Sequence, residues 1–142
     1  MDIQLILKLC LYSYRCSPSV CQFVRDNIGI PIESHRDDEV EIQYFDTRDQ
    51  VNTIQNDDAI VKLFYQKSNA YLGWTDNWGN TKGLDDFEDV CIVLNPPTLK
   101  AYKEGKLNTL ASSTANKLYV ACTRAKGNVY FVPENMLSVF KR

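Results

Sequence analysis

Features that would assign this chain to a zinc-binding or membrane class are missing from its 142 residues. It has one histidine, His35, and its cysteines never take the C-x-x-C spacing of a structural zinc site. No apolar run approaches the roughly 18 residues that a membrane span needs. The N-terminus also lacks the basic segment that opens a signal peptide. We therefore expect a cytoplasmic protein with no metal ligands of its own and no membrane partner.

Cysteine number and charge distribution add two further limits. Five cysteines, an odd number spread along the chain, are typical of free thiols in a reducing compartment. The net charge of −2 hides an uneven distribution, because acids outnumber bases fourteen to five from Glu33 to Asp89. From Lys100 to Arg142 there are eight bases and two acids. The basic part indicates either a surface that meets a polyanion or, as charge alone favours, an ordinary solvated surface.

The pattern of apolar residues, caps and turns predicts strands and helices in rough alternation. Ser17 and Pro18 begin one helix, Thr47 and Gln50 form the capping box of another, and Gly127 ends a third. The predicted strands are 5–12, 40–45, 59–65, 70–74, 90–94 and 129–132, and the predicted helices are 18–27, 48–54 and 113–126, with a loop at 75–83. The segment 59–65 could instead be a helix that continues from Asp57. This alternation is typical of an α/β fold with a mostly parallel central sheet. The length fits one domain over residues 1–142.

Three segments carry candidate chemistry. Tyr14 and Arg15 come at the end of the first predicted strand. The segment TKGLD, residues 81–85, leads into a buried strand. The predicted helix continues through LYVACTRAK, residues 118–126, and carries Arg124 near its C-terminal end. Open α/β sheets bind ligands at the carboxyl ends of their strands, and an arginine fixed there offers a planar, charged fork for phosphate.

These segments resemble three motifs of the UvrD/Rep-like superfamily 1 DNA helicases, and they occur in the same order. LYSYRCSPSVCQF is similar to motif IV, TKGLDDFEDVCIV to motif V and YVACTRAK to motif VI. The motifs lie near residues 12–17, 81–90 and 118–126, so the resemblance covers nearly the whole chain. It implies a RecA-like three-layer fold and the second, C-terminal motor domain of a helicase.

The resemblance also implies roles in a nucleotide site. Tyr14 would stack on the adenine of ATP, and Arg15 and Arg124 would be the catalytic arginines that reach its γ-phosphate. Asp85 stands where the family has a glutamate that bonds the ribose. ATP with Mg²⁺ would be held mainly by an N-terminal RecA-like domain of the same protein, because this chain has no G-x-x-x-x-G-K-[ST] phosphate loop. The chain alone is therefore predicted not to hydrolyse ATP.

Single-stranded DNA is the second partner that the resemblance implies. Lys82 and Gly83 would shape the loop that couples the nucleotide to the strand. The candidate nucleic-acid contacts are Asn80, Thr81 and Trp74. Three departures accompany the likeness: Gly79 replaces the motif V histidine, Asp85-Asp86-Phe87 replaces the family's Glu-Phe-Asp, and the large accessory subdomain between motifs IV and V is absent.

Each assignment has an ordinary structural alternative. Trp74 and Trp78 are more often expected to pack over a loop than to stack on bases. An arginine at a helix end is usually a surface cation, so Arg15 and Arg124 are expected to face solvent and to be dispensable for folding. The motif V lysine and glycine by themselves are typical of a turn. The joint occurrence of three motifs in order favours the functional interpretation.

Three functions stay open at this point. The first is the C-terminal motor domain of an ATP-dependent DNA helicase, active only as part of a longer protein. The second is a catalytically inactive helicase-like module that binds DNA or a protein partner. The third is a nucleotide-binding fold without a motor role.

Overall fold

A computed structural model of the chain describes residues 12–13, 16–78 and 87–141. The predicted strand 5–12 lies outside this part except for its last residue, and so do Tyr14 and Arg15. Residues 79–86, which contain most of the predicted motif V loop, also lie outside it. The structure therefore describes the motif VI helix, the central sheet and the residues that flank motifs IV and V.

Five parallel strands form the central sheet of the described part. In chain order the described strands are β1 (Tyr12–Ser13), β2 (Glu33–Ser34), β3 (Ile42–Tyr44), β4 (Val61–Phe64), β5 (Thr75–Asn77), β6 (Val90–Leu94) and β7 (Val129–Pro133). The sheet has the order β3-β7-β6-β4-β5, and β1 and β2 form a separate parallel pair. Each pairing within the sheet is parallel. The predicted α/β fold with a mostly parallel sheet is confirmed.

Two of the helices begin where the predicted caps lie. The described α-helices are α1 (Pro18–Phe23), α2 (Arg48–Gln55), α3 (Pro96–Lys103) and α4 (Ser112–Thr123). A π-helical turn, Val24–Ile28, extends α1, and 3-10 segments lie at Ser68–Ala70, Leu107–Thr109 and Glu134–Phe140. The Ser17 hydroxyl accepts the Val20 N–H at 3.3 Å, and the Thr47 hydroxyl accepts the Gln50 N–H at 3.3 Å. Each cap satisfies one N–H group that the first turn leaves unpaired.

Helices cover both faces of the sheet, which gives the predicted three layers. On one face α1, α3 and α4 pack against Val90 and Ile92 of β6, and on the other α2 and the segment Glu134–Phe140 pack against Cys91 and Val93. All five residues of β6 are buried, as expected for a strand covered on both faces. Burying each large aliphatic side chain contributes roughly 1.5 to 3 kcal/mol, so β6 anchors the fold.

Two predicted boundaries near β5 are wrong. Residues 70–74 do not form a strand, because a 3-10 turn ends at Ala70 and β5 begins only at Thr75. The segment 75–77, predicted as a loop for its polar composition, pairs with β4 instead. The Lys62 N–H donates to the Trp74 carbonyl at 2.9 Å, so pairing with an existing strand decides where β5 begins.

Two helix predictions also need correction. The predicted elements include no helix after the strand 90–94, because two successive prolines also suit the end of a strand, whereas Pro96 occupies the first turn of α3. Helix α4 ends at Thr123, three residues before the predicted end. The next residues pair with the approach to β6: the Phe87 N–H donates to the Arg124 carbonyl at 3.2 Å, and the Lys126 N–H donates to the Phe87 carbonyl at 2.7 Å.

Gly127 therefore does not end α4, as its position had suggested. Its N–H donates to the Glu88 carbonyl at 2.6 Å, which brings the two backbones into close contact. A Cβ at this position would lie 3.1 Å from the Glu88 carbonyl oxygen and would clash with the Asp89 carboxylate. That carboxylate accepts the Asn128 N–H at 2.7 Å, so it is not free to move away. The glycine allows the segments before β6 and β7 to meet.

We expect Gly127→Ala to lower the free energy of unfolding by about 1 to 3 kcal/mol, the usual cost of overpacking. Urea denaturation followed by circular dichroism measures the change. Asn116→Ala, at an exposed position of α4, is the control and should change the stability by less than about 0.5 kcal/mol. Equal urea midpoints for Gly127→Ala and the unmodified chain would show that the close approach is unimportant.

Candidate functional site

Arg124 directly follows α4 and is buried, contrary to the expectation of a solvent-facing side chain. It is 3% exposed. Its guanidinium carbon lies 4.4 Å from the centroid of the Phe87 ring, and Nη1 lies 3.7 Å from the nearer Asp76 carboxylate oxygen. Burial follows from the pairing of Arg124 and Phe87 backbones, which draws the residue inward at the end of the helix.

The guanidinium has unused hydrogen-bonding capacity. Among the described residues, none of its three nitrogens has a hydrogen-bond partner. A separation of 3.7 Å from Asp76 is too long for a hydrogen bond. A buried cation with unmade hydrogen bonds is unfavourable for folding. An oxyanion that accepted these N–H groups would remove the penalty, so the arrangement is chemically suited to a phosphate or a carboxylate.

The backbone on both sides of Arg124 is held by distant parts of the chain. The Cys16 thiol donates to the Thr123 carbonyl at 2.9 Å. Arg36 Nη1 donates to the Lys126 carbonyl at 2.7 Å. Arg36 is itself bound by Asp38, and this hydrogen-bonded ion pair raises the pKa of Arg36 and lowers the pKa of Asp38. Because these contacts precede and follow Arg124, they fix the direction from which its side chain emerges.

The site lies at the amino-terminal edge of the sheet. Phe87 and Arg124 pair just before β6 and β7 begin, and neither follows the carboxyl end of a strand. The prediction that this arginine lies at the carboxyl ends is wrong, because that rule describes loops that leave parallel strands. Here the arginine directly follows a helix that returns to the start of the next strand.

The structure brings the described neighbours of all three motifs together. Cys16 follows Arg15 in the sequence and contacts Thr123 of the motif VI helix. Phe87, which lies within motif V, contacts Arg124. The predicted site residues Tyr14, Arg15, Asn80, Thr81, Lys82, Gly83 and Asp85 lie outside the described residues. Of the predicted site residues, the structure places Arg124 and Trp74.

The two tryptophans, which the sequence could not distinguish, have different environments. Trp78 is fully buried, and its Nε1 donates to the Leu63 carbonyl at 2.9 Å, so it belongs to the core. Trp74 is 43% exposed. Its ring meets Phe87 edge to face, with centroids 5.2 Å apart. Trp74 is therefore the tryptophan with a surface available to a ligand, and it lies beside the arginine site.

Sequence reasoning missed two residues of this site and one nearby. Asp76 and Phe87 approach Arg124 only through the sheet, so no local pattern indicates them. Lys62 of β4 is fully buried, and its Nζ donates to the Asp57 carbonyl at 2.8 Å. Burial lowers the pKa of Lys62. The one local signal for it is a single charge within an apolar strand.

The described cysteines are not suited to nucleophilic or metal chemistry. Four cysteines of the described part are buried: Cys16, Cys21, Cys91 and Cys122. Burial raises the pKa of Cys91 to about 12 and also raises the pKa of Cys122. A thiol that stays protonated is a poor nucleophile and a poor metal ligand. Within the described ranges, no group of three or more His, Cys, Asp or Glu residues could hold a metal ion.

A small cavity of about 150 Å³ lies at the opposite, carboxyl edge of the sheet. It is lined by residues that follow β4 and β7: Gln66, Lys67, Ala70, Tyr71, Glu134 and Lys141. Of the described residues that line it, none is Arg124 or Trp74. In the described part of the chain, no helix is both long and apolar enough to cross a membrane.

Solved helicase structures contain the same fold. Arterivirus nonstructural protein 10, a helicase, aligns with a TM-score of 0.54 at 15% identity, over 90% of this chain and 27% of that chain. The helicase nsp10 of PRRSV aligns with a TM-score of 0.50 at 14% identity, over 92% of this chain and 25% of that chain. This chain shares its fold with one segment of each helicase.

The likeness agrees with the RecA-like α/β class that the motifs predicted. The chain spans about a quarter of the length of these helicases, so the likeness concerns one part of each. No protein-family model and no curated protein matches the chain. At 14 to 15% identity the comparison shows the fold alone, and the residues around Arg124 must carry any functional argument.

Proposed function

We propose that this chain is the C-terminal motor domain of a UvrD/Rep-like, ATP-dependent DNA helicase and that Arg124 contacts the γ-phosphate of ATP. The observation that carries the proposal is the buried Arg124 guanidinium, whose three nitrogens have no hydrogen-bond partner among the described residues. The shared fold and the order of the three motifs support it. An N-terminal RecA-like domain of the same protein would hold most of the nucleotide.

The residues around Arg124 suit it to act on a phosphate. Contacts at Thr123 and Lys126 fix the backbone, and Phe87 supports the guanidinium plane. A charge in such a shielded place interacts more strongly with a phosphate than one in water. The planar fork can also donate two parallel hydrogen bonds to phosphate oxygens. ATP with Mg²⁺ would supply the phosphoryl group, and the metal would be bound mainly by the N-terminal domain.

The proposal also assigns roles to residues of motifs IV and V, from their sequence and from the contacts of described residues in these motifs. We assign Tyr14 to the adenine, Arg15 to the γ-phosphate and Asp85 to the ribose by resemblance. The contacts of Cys16 and Phe87 with the motif VI region support this grouping. Lys82 and Gly83 would couple the nucleotide to single-stranded DNA, with candidate strand contacts at Asn80, Thr81 and Trp74.

Binding of tripolyphosphate to this chain tests the role of Arg124. We expect tripolyphosphate to bind weakly, with a Kd on the order of 1 mM, as at an isolated ion-pair site. The Arg124→Ala variant should lose this binding. Isothermal calorimetry at low salt measures it. Arg48→Ala is the matched control, because Arg48 is exposed and donates to the Met136 carbonyl at 2.8 Å, away from the site. Equal binding by the Arg124→Ala and Arg48→Ala variants would contradict the proposal.

The chain alone should not hydrolyse ATP, and it should bind single-stranded DNA weakly. Hydrolysis needs a phosphate loop that this sequence lacks. The net charge is slightly negative and the bases are concentrated in the C-terminal third, so binding should weaken steeply with salt. Phosphate release and fluorescence anisotropy measure the two activities. Tight DNA binding that survives roughly 0.5 M salt, where charges are strongly screened, would favour the inactive binding module instead.

A further inference from the structure

Trp74 and Arg124 flank the same phenylalanine. The Trp74 ring packs against Phe87 with centroids 5.2 Å apart, and the Arg124 guanidinium carbon lies 4.4 Å from the same centroid. The indole and the guanidinium therefore lie within about 10 Å of each other. One offers an exposed aromatic ring, and the other offers unused hydrogen-bond donors.

We propose that Trp74 and Arg124 are the two ends of one nucleotide site, in which a base stacks on the indole and a phosphate binds the guanidinium. This inference rests on the proposed function for its phosphate end. The joining of the two ends is new and departs from the resemblance, which gives the adenine to Tyr14, whereas Trp74 is otherwise a candidate contact only to single-stranded DNA. The ligand is a nucleotide, either free or within a strand.

The indole is suited to stacking by its rigidity as well as its exposure. Its backbone carbonyl accepts the Lys62 N–H at 2.9 Å, which ties Trp74 to β4. Its ring rests against Phe87, which is buried. Such a ring loses little conformational freedom when a base binds. Stacking on an aromatic side chain tolerates any base, because every base has a π-face.

The Asp76 carboxylate competes with an anionic ligand for the Arg124 guanidinium. Its carboxylate lies 3.7 Å from Arg124 Nη1 and also accepts the Asn77 N–H at 2.8 Å. A phosphate that approaches Arg124 meets the negative charge of Asp76, which weakens anion binding. The site should therefore bind phosphate more tightly when this charge is removed and the shape of the side chain is kept.

The inference is tested on this chain by calorimetry and by tryptophan fluorescence. The probes are ATP, tripolyphosphate, adenosine and a short dT oligonucleotide. We expect ATP to bind more tightly than tripolyphosphate and to quench the emission of Trp74. Trp74→Ala should weaken ATP binding roughly 5- to 100-fold, the range expected for one stacked base, and should leave tripolyphosphate binding unchanged. Leu72→Ala, at a neighbouring exposed apolar residue, is the matched control and should change neither. Asp76→Asn should tighten tripolyphosphate binding several-fold.

The outcomes separate this inference from the proposed function. If tripolyphosphate binding depends on Arg124 but ATP binding is equal in Trp74→Ala and the unmodified chain, the nucleotide site is wrong and the role of Arg124 stands. If no anion binds, both fail. If only the oligonucleotide quenches Trp74, and Arg124→Ala removes that effect, the ligand is a nucleotide within a strand and free ATP is excluded. If a ligand quenches Trp74 in the Arg124→Ala variant and binds it with unchanged affinity, the two residues do not belong to one site.

Discussion

Under the proposed function, replacing Arg124 by alanine in a motor that contains this domain should lower ATP turnover about 10³- to 10⁵-fold with little change in ATP affinity. That range is typical of an arginine that stabilises the charge of the transferring phosphoryl group. The guanidinium would act mainly in the transition state, so kcat should fall and KM should not. Arg124→Lys should recover little, because a point charge lacks the planar fork. Steady-state phosphate release measures the effect, with Arg48→Ala as the control.

Folding controls are essential for this prediction because Arg124 is buried. Arg124→Ala leaves a space against Phe87, whereas Arg124→Met fills it with an apolar chain that contacts aromatic rings favourably. We expect Arg124→Met to be as stable as the unmodified chain or more stable by about 1 to 3 kcal/mol, since it removes a buried cation with unmade hydrogen bonds. A methionine variant that melts normally and turns over ATP at the original rate would contradict the catalytic assignment.

Lys62→Met should stabilise the chain by about 1 to 3 kcal/mol at neutral pH, because an apolar residue of similar length replaces a fully buried cation. Burial lowers the pKa of Lys62 below its ordinary value of 10.5. Below the folded pKa, both the folded and the unfolded chain carry this proton, and the full penalty is present. Between the folded pKa and 10.5 the unfolded chain binds more protons, so the penalty shrinks as pH rises.

The stability advantage of Lys62→Met should therefore decrease as pH increases towards 10.5. Urea denaturation of both chains across the alkaline range measures the difference. Buried groups such as Cys122, whose pKa is raised, act in the opposite direction, but they are common to both chains and cancel in the comparison. Cys91 interacts with Lys62, but burial raises its pKa to about 12, above the pH range compared. An advantage that stays constant with pH would show that Lys62 is neutral, or equally protonated, in both states. Thr53→Ala, on the exposed side of α2, should show no such trend.

The fold that this chain shares with one segment of two helicases does not by itself define a chemical function. Any chemistry depends on a few side chains. A RecA-like sheet with helices on both faces is a scaffold, and function depends on the residues that it positions. Here the segment before β6 and the end of α4 bring Phe87 and Arg124 together. The thiol of Cys16 and the guanidinium of Arg36 hold the adjacent backbone from other parts of the chain. We expect substitutions of Cys16 or Arg36 to change the orientation of the Arg124 side chain more than they change the stability of the fold.

Local signals in the sequence determined the elements of this protein well. Ser17 with Pro18 and Thr47 with Gln50 predicted the starts of α1 and α2, because a cap acts over three or four residues. The apolar run at 90–94 predicted a doubly buried strand, and the alternation of elements predicted a parallel sheet. The motif order also gave Arg124 its candidate role before any contact was known, and that role stays a prediction.

The tertiary structure alone decided where those residues lie and what surrounds them. The start of β5, the early end of α4 and the close approach at Gly127 depend on pairing with strands that are distant in sequence. Burial follows the same rule: Trp78 is in the core and Trp74 is exposed, although they share one short segment. No pattern along the chain could indicate these differences, because burial and pairing are set by contacts between residues tens of positions apart. The sequence therefore makes Arg124 a candidate for phosphate binding, and only the fold shows that it is buried with no hydrogen-bond partner among the described residues.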